Sequence, residues 1–301
     1  MTPREIIASA WSITTREKLI RRWSFASSFC ETLLSLKFLS YQFYFLYRYF
    51  SDGTGAGFFY IEILLFDLIP FWVFATIIGT LATAVFIEFF VPHLCLGAII
   101  GLGARAYRRE DMKGGFVLGL YNFFPIFAIH EFLFLSSITT MLTATSLVLR
   151  YVDGDVKFWS IIGIAVLWTV TNILRFFFSF AEEGVVIEKL GIFASIGKSL
   201  KLIISHLGRV MFLILLLVVI SLRIGLNLVM VILLPAMVIG LGLLLTLILS
   251  PAMSYSIAGV LGVALIVVAS YFLAYLHAFK QNVWTITYLE LMKEKELDVI
   301  L

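Results

Sequence analysis

Lys37, Glu88, His130, Glu131 and Arg223 all lie inside runs of otherwise apolar residues. A charge held at the centre of a lipid bilayer costs about 2.5–3.5 kcal/mol even on the lenient insertion scale, so such groups face protein or water and pair with one another. Counted at about 1.5 Å per residue, Glu88 lies roughly 25 Å along its helix from Arg105, and Arg223 a similar distance from His206. Those two heads therefore share a depth. The expectation is a buried polar cluster formed by Glu88, Arg223 and Glu131, with His130 and Lys37 nearby. It is read either as a structural ion pair or as a site within the membrane.

Other candidate chemistry is sparse. His130-Glu131 is the one adjacent titratable pair within a crossing, and the pairing suits proton handling or metal ligation. His93 and Cys95 are two residues apart, which on a helix points them away from each other. Arg175, six residues before Ala181, is placed to reach the interface with its head. The sequence has no phosphate-cradling glycine loop, no paired cysteine ligands and no His-Glu-x-x-His helix. Gly97-Ala-Ile-Ile-Gly101 reads as a small-xxx-small packing face, and Cys30 and Cys95 as small buried hydrophobes. No catalytic residue, metal or cofactor is expected.

The elements that must position these groups follow from composition. The 301 residues are 61% hydrophobic and 14% charged, with mean hydropathy +1.05. Soluble domains run at roughly 45–50% apolar and about 25% charged, so lipid must be the solvent for most of the chain. Apolar runs predict an all-α polytopic membrane protein with six transmembrane helices, at about 24–50, 66–104, 118–149, 158–181, 206–234 and 256–280. With those six, fifteen Lys and Arg fall on one side and three on the other. That asymmetry assigns both termini and the loops 105–114 and 182–205 to the cytoplasm. No cleavable signal peptide is expected, so insertion would use the first hydrophobic helix. Pro70 and Pro235 offer break points in the two longest runs, and Pro92, Pro125 and Pro251 are placed to bend or end their helices.

Residues 1–301 are read as a single integral membrane domain. Within it, 1–23 forms a cytoplasmic amphipathic helix leading into the first crossing, 182–205 a cytoplasmic interfacial helix, and 281–301 a cytoplasmic C-terminal helix. In 185–205, Val186, Leu190, Phe193, Ile196, Leu200 and Ile203 recur every three or four residues with Glu188, Lys189, Lys198 and Lys201 between them, the pattern of a helix in the headgroup plane. With a similar segment at 114–124, the chain divides into three units, each an amphipathic helix followed by an outward and an inward crossing.

The run Phe180-Ala-Glu-Glu-Gly-Val-Val-Ile-Glu-Lys-Leu-Gly-Ile-Phe-Ala-Ser-Ile-Gly-Lys-Ser-Leu-Lys-Leu202 resembles the cytoplasmic connection in a set of six-helix proteins. These are the membrane domain of glycerophosphodiester phosphodiesterases and related bacterial and archaeal inner-membrane proteins. Arg105-Ala-Tyr-Arg-Arg-Glu-Asp-Met-Lys-Gly-Gly115 and Trp284-Thr-Ile-Thr-Tyr-Leu-Glu-Leu-Met-Lys-Glu-Lys295 are similar to the same set. The resemblance implies the six-helix fold and an inner-membrane location. It does not carry over the catalytic activity, because the sequence holds no region of a few hundred residues to house a phosphodiesterase barrel. The expected function is that of a non-enzymatic membrane protein that binds a partner chain or serves membrane homeostasis. The alternative is a small transporter or lipid-handling protein with a midplane polar site. Expected partners are membrane lipids and a protein partner or second copy, with no nucleic acid.

Overall fold

The computed structural model describes residues 1–52, 59–218, 237 and 240–300, and the regular elements among them are all helical. In order these are α1 (Pro3–Arg16), α2 (Lys18–Asp52), α3 (Tyr60–Leu68), α4 (Phe71–Arg108), α5 (Gly115–Phe132) and α6 (Ile138–Tyr151). They continue with α7 (Asp155–Phe177), α8 (Ala181–Glu188), α9 (Ile192–Ser205), α10 (Leu207–Val218) and α11 (Pro251–Ile300). A single 3-10 turn, Phe134–Ser136, separates α5 from α6.

Among the described residues, four helical stretches are long and apolar enough to cross a membrane: Phe71–Arg108, Gly115–Phe132, Asp155–Glu188 and Ser256–Glu294. The pair α9 and α10, bent by 94° at its junction, makes a fifth if taken as one broken span. The protein is therefore membrane-embedded, and its described regular elements are all helical. The first expected crossing lies in α2, which is 35 residues long but carries Arg21, Arg22, Glu31, Lys37 and Arg48 and does not qualify by composition. Residues 256–280, expected as the sixth crossing, and the segment from 281 on lie in one 50-residue helix that ends at Ile300, about 75 Å long at 1.5 Å per residue.

Two expected helices are broken. The run 118–149 divides at Leu133–Ser137, and 182–205 divides at Lys189–Gly191, where Lys189 takes a left-handed φ of 59°. The apolar stripe of 185–205 consequently does not lie on one face. Val186 and Ile203 are buried, whereas Phe193 is 88% exposed. Of the prolines, Pro70 separates α3 from α4 as anticipated, Pro251 begins α11, and Pro92 and Pro125 stay inside their helices. Pro235 and most of the expected crossing 206–234 lie outside the described residues.

The chain forms two compact units. Unit one comprises Met1–Thr32, Val91–Ile129 and Phe177–Leu301. Its helix α1 starts with a capping box, in which the Thr2 hydroxyl accepts from the Glu5 amide at 3.4 Å and the Glu5 carboxylate from the Thr2 amide at 2.9 Å. Such a cap contributes about 1 kcal/mol. It starts a helix that buries Ile6, Ala10 and Ile13 in a core shared with Cys95, Ile99, Leu102, Phe279, Val283 and Ile286. Small residues set the closest helix approach in this unit, where Gly97 and Gly119 face each other across α4 and α5. A Cβ added at Gly119 would sit 2.4 Å from the Leu94 carbonyl oxygen, and one at Gly97 would sit 3.3 Å from the Gly119 Cα.

Unit two comprises Leu33–Phe90 and His130–Phe176. Here the break between α5 and α6 leaves backbone groups that lipid cannot satisfy. Asn172 on α7 donates to the Ser136 carbonyl at 3.3 Å, and Arg175 donates to the Ser136 hydroxyl at 3.0 Å. Arg175 is itself exposed on α7, and its guanidinium reaches across to the break. Next to it in sequence order, Gln42 donates to Thr143 at 3.4 Å and accepts a short bond from Ser146, tying α2 to α6.

The glycine contact gives a direct test. Gly119→Ala should destabilise the detergent-solubilised protein by about 1–3 kcal/mol, the range for overpacking. Gly163→Ala, inside α7 and with open space around its Cβ position, should leave the melting temperature level or raise it. Equal melting temperatures for the two variants would contradict the packing described.

Candidate functional site

The structure resolves part of the expected polar cluster. Glu88 is buried on α4, and its two carboxylate oxygens accept from Lys37 Nζ at 2.6 and 2.7 Å. Both residues belong to unit two. The carboxylate side chain is 7% exposed and the lysine side chain 34%, so the lysine stem reaches inward and the ion pair neutralises the deeper group. The partner of Glu88 in the described structure is therefore Lys37. Arg223, expected in that role, lies outside the described residues. His130 and Glu131 sit half-buried at the end of α5. Counting along a helix gives depth and not azimuth, which is why it did not select Lys37 as the partner of Glu88.

Sequence reasoning missed a second and larger polar assembly, in unit one, where α8 and α9 meet the C-terminal half of α11. Glu183 on α8 is fully buried, and its Oε1 accepts from Gln281 at 2.8 Å. Its Oε2 has no hydrogen-bond partner among the described residues. One turn on, Glu188 accepts short bonds from Lys198 on α9 and the Tyr288 hydroxyl on α11. Ser199 donates to the Phe177 carbonyl at 2.8 Å and accepts from the Phe180 amide at 3.1 Å, while Ser195 donates to the Ala181 carbonyl. These two serines, one turn apart on the buried side of α9, satisfy the backbone where α7 gives way to α8. Gly184 makes the approach feasible, since a Cβ there would lie 2.4 Å from the Ser195 oxygen. The available signal was the Ser195–Ser199 spacing combined with Gly184.

The polar ends of α4 and α11 carry a third feature. Glu290 receives bonds from the amino terminus at 3.1 Å, the Tyr107 hydroxyl at 2.8 Å and Lys293 at 2.8 Å. Arg209 on α10 pairs with Glu294 at 2.6 Å. Beside Glu290 a cavity of about 420 Å³ is lined by Tyr107, Arg108, Arg109, Leu289, Met292 and Lys293. A different groove, of about 520 Å³, follows the exposed side of α4 in unit two and is lined by Ala75, Thr76, Gly79, Thr80, Thr83, Ala84 and Ile87. As for the isolated titratable groups, the His93 ring packs edge-on against Phe127 at 5.2 Å and Cys95 is buried in the core. Among the described residues no three His, Cys, Asp or Glu side chains gather as metal ligands would.

These arrangements define a membrane-embedded helical protein whose interior polar groups are largely engaged with one another. No family model, curated protein or solved structure matches the chain.

The Lys37–Glu88 pair predicts a specific pattern of stability. Lys37→Met leaves a carboxylate buried without its partner and should cost about 2–3 kcal/mol, toward the low side for broken buried pairs because the lysine is one-third exposed. The double exchange Lys37→Glu with Glu88→Lys should recover at least half of the melting-temperature loss seen in Glu88→Lys alone. Losses that simply add in the double variant would show that the two side chains do not interact.

Proposed function

We propose that the chain is a non-enzymatic, multi-pass membrane protein that binds a partner chain, or a second copy of itself, through its apolar helix faces. The groove along α4 is the observation that carries this reading. Nothing lies within 4 Å of a Cβ position at Gly79, and apart from Ile87 the groove residues are small. The hydroxyls of Thr76, Thr80 and Thr83 donate to the Trp72, Thr76 and Gly79 carbonyls of their own helix at 2.8 Å. A helix docking there would meet a close, smooth surface with no polar group left to desolvate, the condition under which small-residue faces associate in lipid. The role drawn from this is that of a subunit or membrane-homeostasis component of a cell membrane, with lipids as its surroundings. The likeness of 180–202 to the membrane domain of glycerophosphodiester phosphodiesterases supports the same non-catalytic assignment.

The topology that accompanies this proposal has six crossings with both termini cytoplasmic, and the amphipathic parts of 1–23, 182–205 and 281–301 on that side. The sharp bend between α9 and α10 supports it, because a helix running along the interface must turn before it crosses. A second reading, a small transporter or lipid-handling protein, is favoured by the Lys37–Glu88 pair and by the broken helix at Leu133–Ser137 in the same unit, features shared with midplane substrate sites.

Two experiments test these proposals. Purified in mild detergent, the protein should run with a stoichiometric partner or as a homo-oligomer, and Gly79→Leu should reduce that association at least tenfold. A wild-type chain that remains a lone monomer contradicts the partner-binding role. For topology, Asp111→Cys and Asp153→Cys are introduced singly into a Cys30→Ser, Cys95→Ala background. Position 153 should label from outside the cell and position 111 only after permeabilisation; external labelling of 111 would overturn the six-crossing arrangement.

A further inference from the structure

We propose that the cavity between the polar ends of α4 and α11 binds a phosphate-bearing anion, supplied by an anionic lipid headgroup or by a soluble phosphomonoester. Its volume, about 420 Å³, falls within the usual range for small-ligand sites of about 300–1,000 Å³. Three cations, Arg108, Arg109 and Lys293, line it, and Leu289 and Met292 supply apolar wall.

The charges already present are unevenly balanced. Lys293 is committed to Glu290, which also takes the amino terminus and Tyr107. Arg108 reaches Glu110 only at 3.9 Å, with both side chains about half exposed. Arg109 has no carboxylate partner among the described residues. Lys113, nearby in sequence, is held by Asp111 at 2.7 Å, and Arg105 donates to the Lys113 carbonyl at 2.6 Å, which closes the loop beneath the arginines. Two guanidinium groups are therefore left with strong hydrogen-bonding capacity. Their planar forks match phosphate oxygens in pairs, a geometry that a lysine or a lone helix end does not offer.

The backbone adds an independent observation. α4 ends in a Schellman arrangement, with the Glu110 amide donating to the Arg105 carbonyl at 2.9 Å and the Arg109 amide to the Ala106 carbonyl at 3.2 Å. This places Arg109 at φ 58°, the position where helices ordinarily use glycine. The chain uses glycine in such conformations at Gly114 and Gly154, and a lysine, Lys189, at the end of α8. Folding alone favours glycine at 109, and the arginine sets a guanidinium at the cavity instead.

Titration calorimetry on the full chain in neutral detergent tests the proposal. The probes are glycerol 3-phosphate and dihexanoyl phosphatidylglycerol below its micellar concentration, with acetate at matched ionic strength as the non-phosphate anion. At least one phosphate probe should bind saturably and acetate should not. Arg109→Gly should weaken that binding tenfold or more while the unliganded melting temperature stays level or rises, and Arg108→Gln should weaken it similarly. Lys201→Gln, an exposed cation on α9, should leave it unchanged. Binding of the soluble probe alone assigns a solute ligand, and binding of the lipid probe alone assigns a headgroup. Failure of both probes to saturate, or equal affinity in wild type and Arg109→Gly, would overturn the proposal.

Discussion

Lipid offers no hydrogen bonds, so every polar group at membrane depth must be satisfied by the chain itself, and the architecture follows from that constraint. It explains why Glu88 is reached by a lysine from another helix, and why the threonines of α4 bond back to their own carbonyls. It also explains why the break between α5 and α6 falls where Asn172 and Arg175 can supply donors to Ser136. Without the Asn172 donor the Ser136 carbonyl would face hydrocarbon alone, at a cost of several kcal/mol.

Past the apolar runs α11 continues as one helix. Its C-terminal half offers Gln281, Tyr288, Glu290 and Glu294 in succession; the first two engage α8, the third the amino terminus and α4, and the fourth α10. Aromatic contacts run alongside, with Phe180 edge-on to Trp284 at 5.4 Å and Trp11 edge-on to Phe279 at 5.7 Å. One long helix thus organises unit one, and the capped α1 packs along it. The outcome is a polar layer in unit one whose groups bond to one another across its helices.

Much of the fold was legible because it depends on solvent preference and on small residues. The apolar runs, the Pro70 break and the Gly97 packing face could all be read from residue type and spacing. The break at Leu133–Ser137 could not, since the segment contains neither glycine nor proline and its cause is the set of donors on α7, far away in sequence. The division of 185–205 was half visible. Gly191 marks it, but the left-handed residue is Lys189, which carries no such signal. For the polar groups, counting along helices gives depth and leaves rotation about the helix axis undetermined. Glu88 was therefore identified as a group needing a partner while Lys37 was not singled out as that partner. The α8–α9–α11 assembly escaped notice because Glu183 and Glu188 lie about a hundred residues from Gln281 and Tyr288 and all four are individually unremarkable in type.

The central claim is that interior polar groups hold this protein together while its function resides on an exposed helix face. Photo-crosslinking in intact membranes addresses it most directly, with a photoreactive amino acid placed at Gly79 in the α4 groove or at Val166, 56% exposed on α7. The account predicts one discrete protein adduct, a partner chain or a second copy, from position 79 and lipid adducts alone from position 166. Lipid adducts alone from both positions would contradict it.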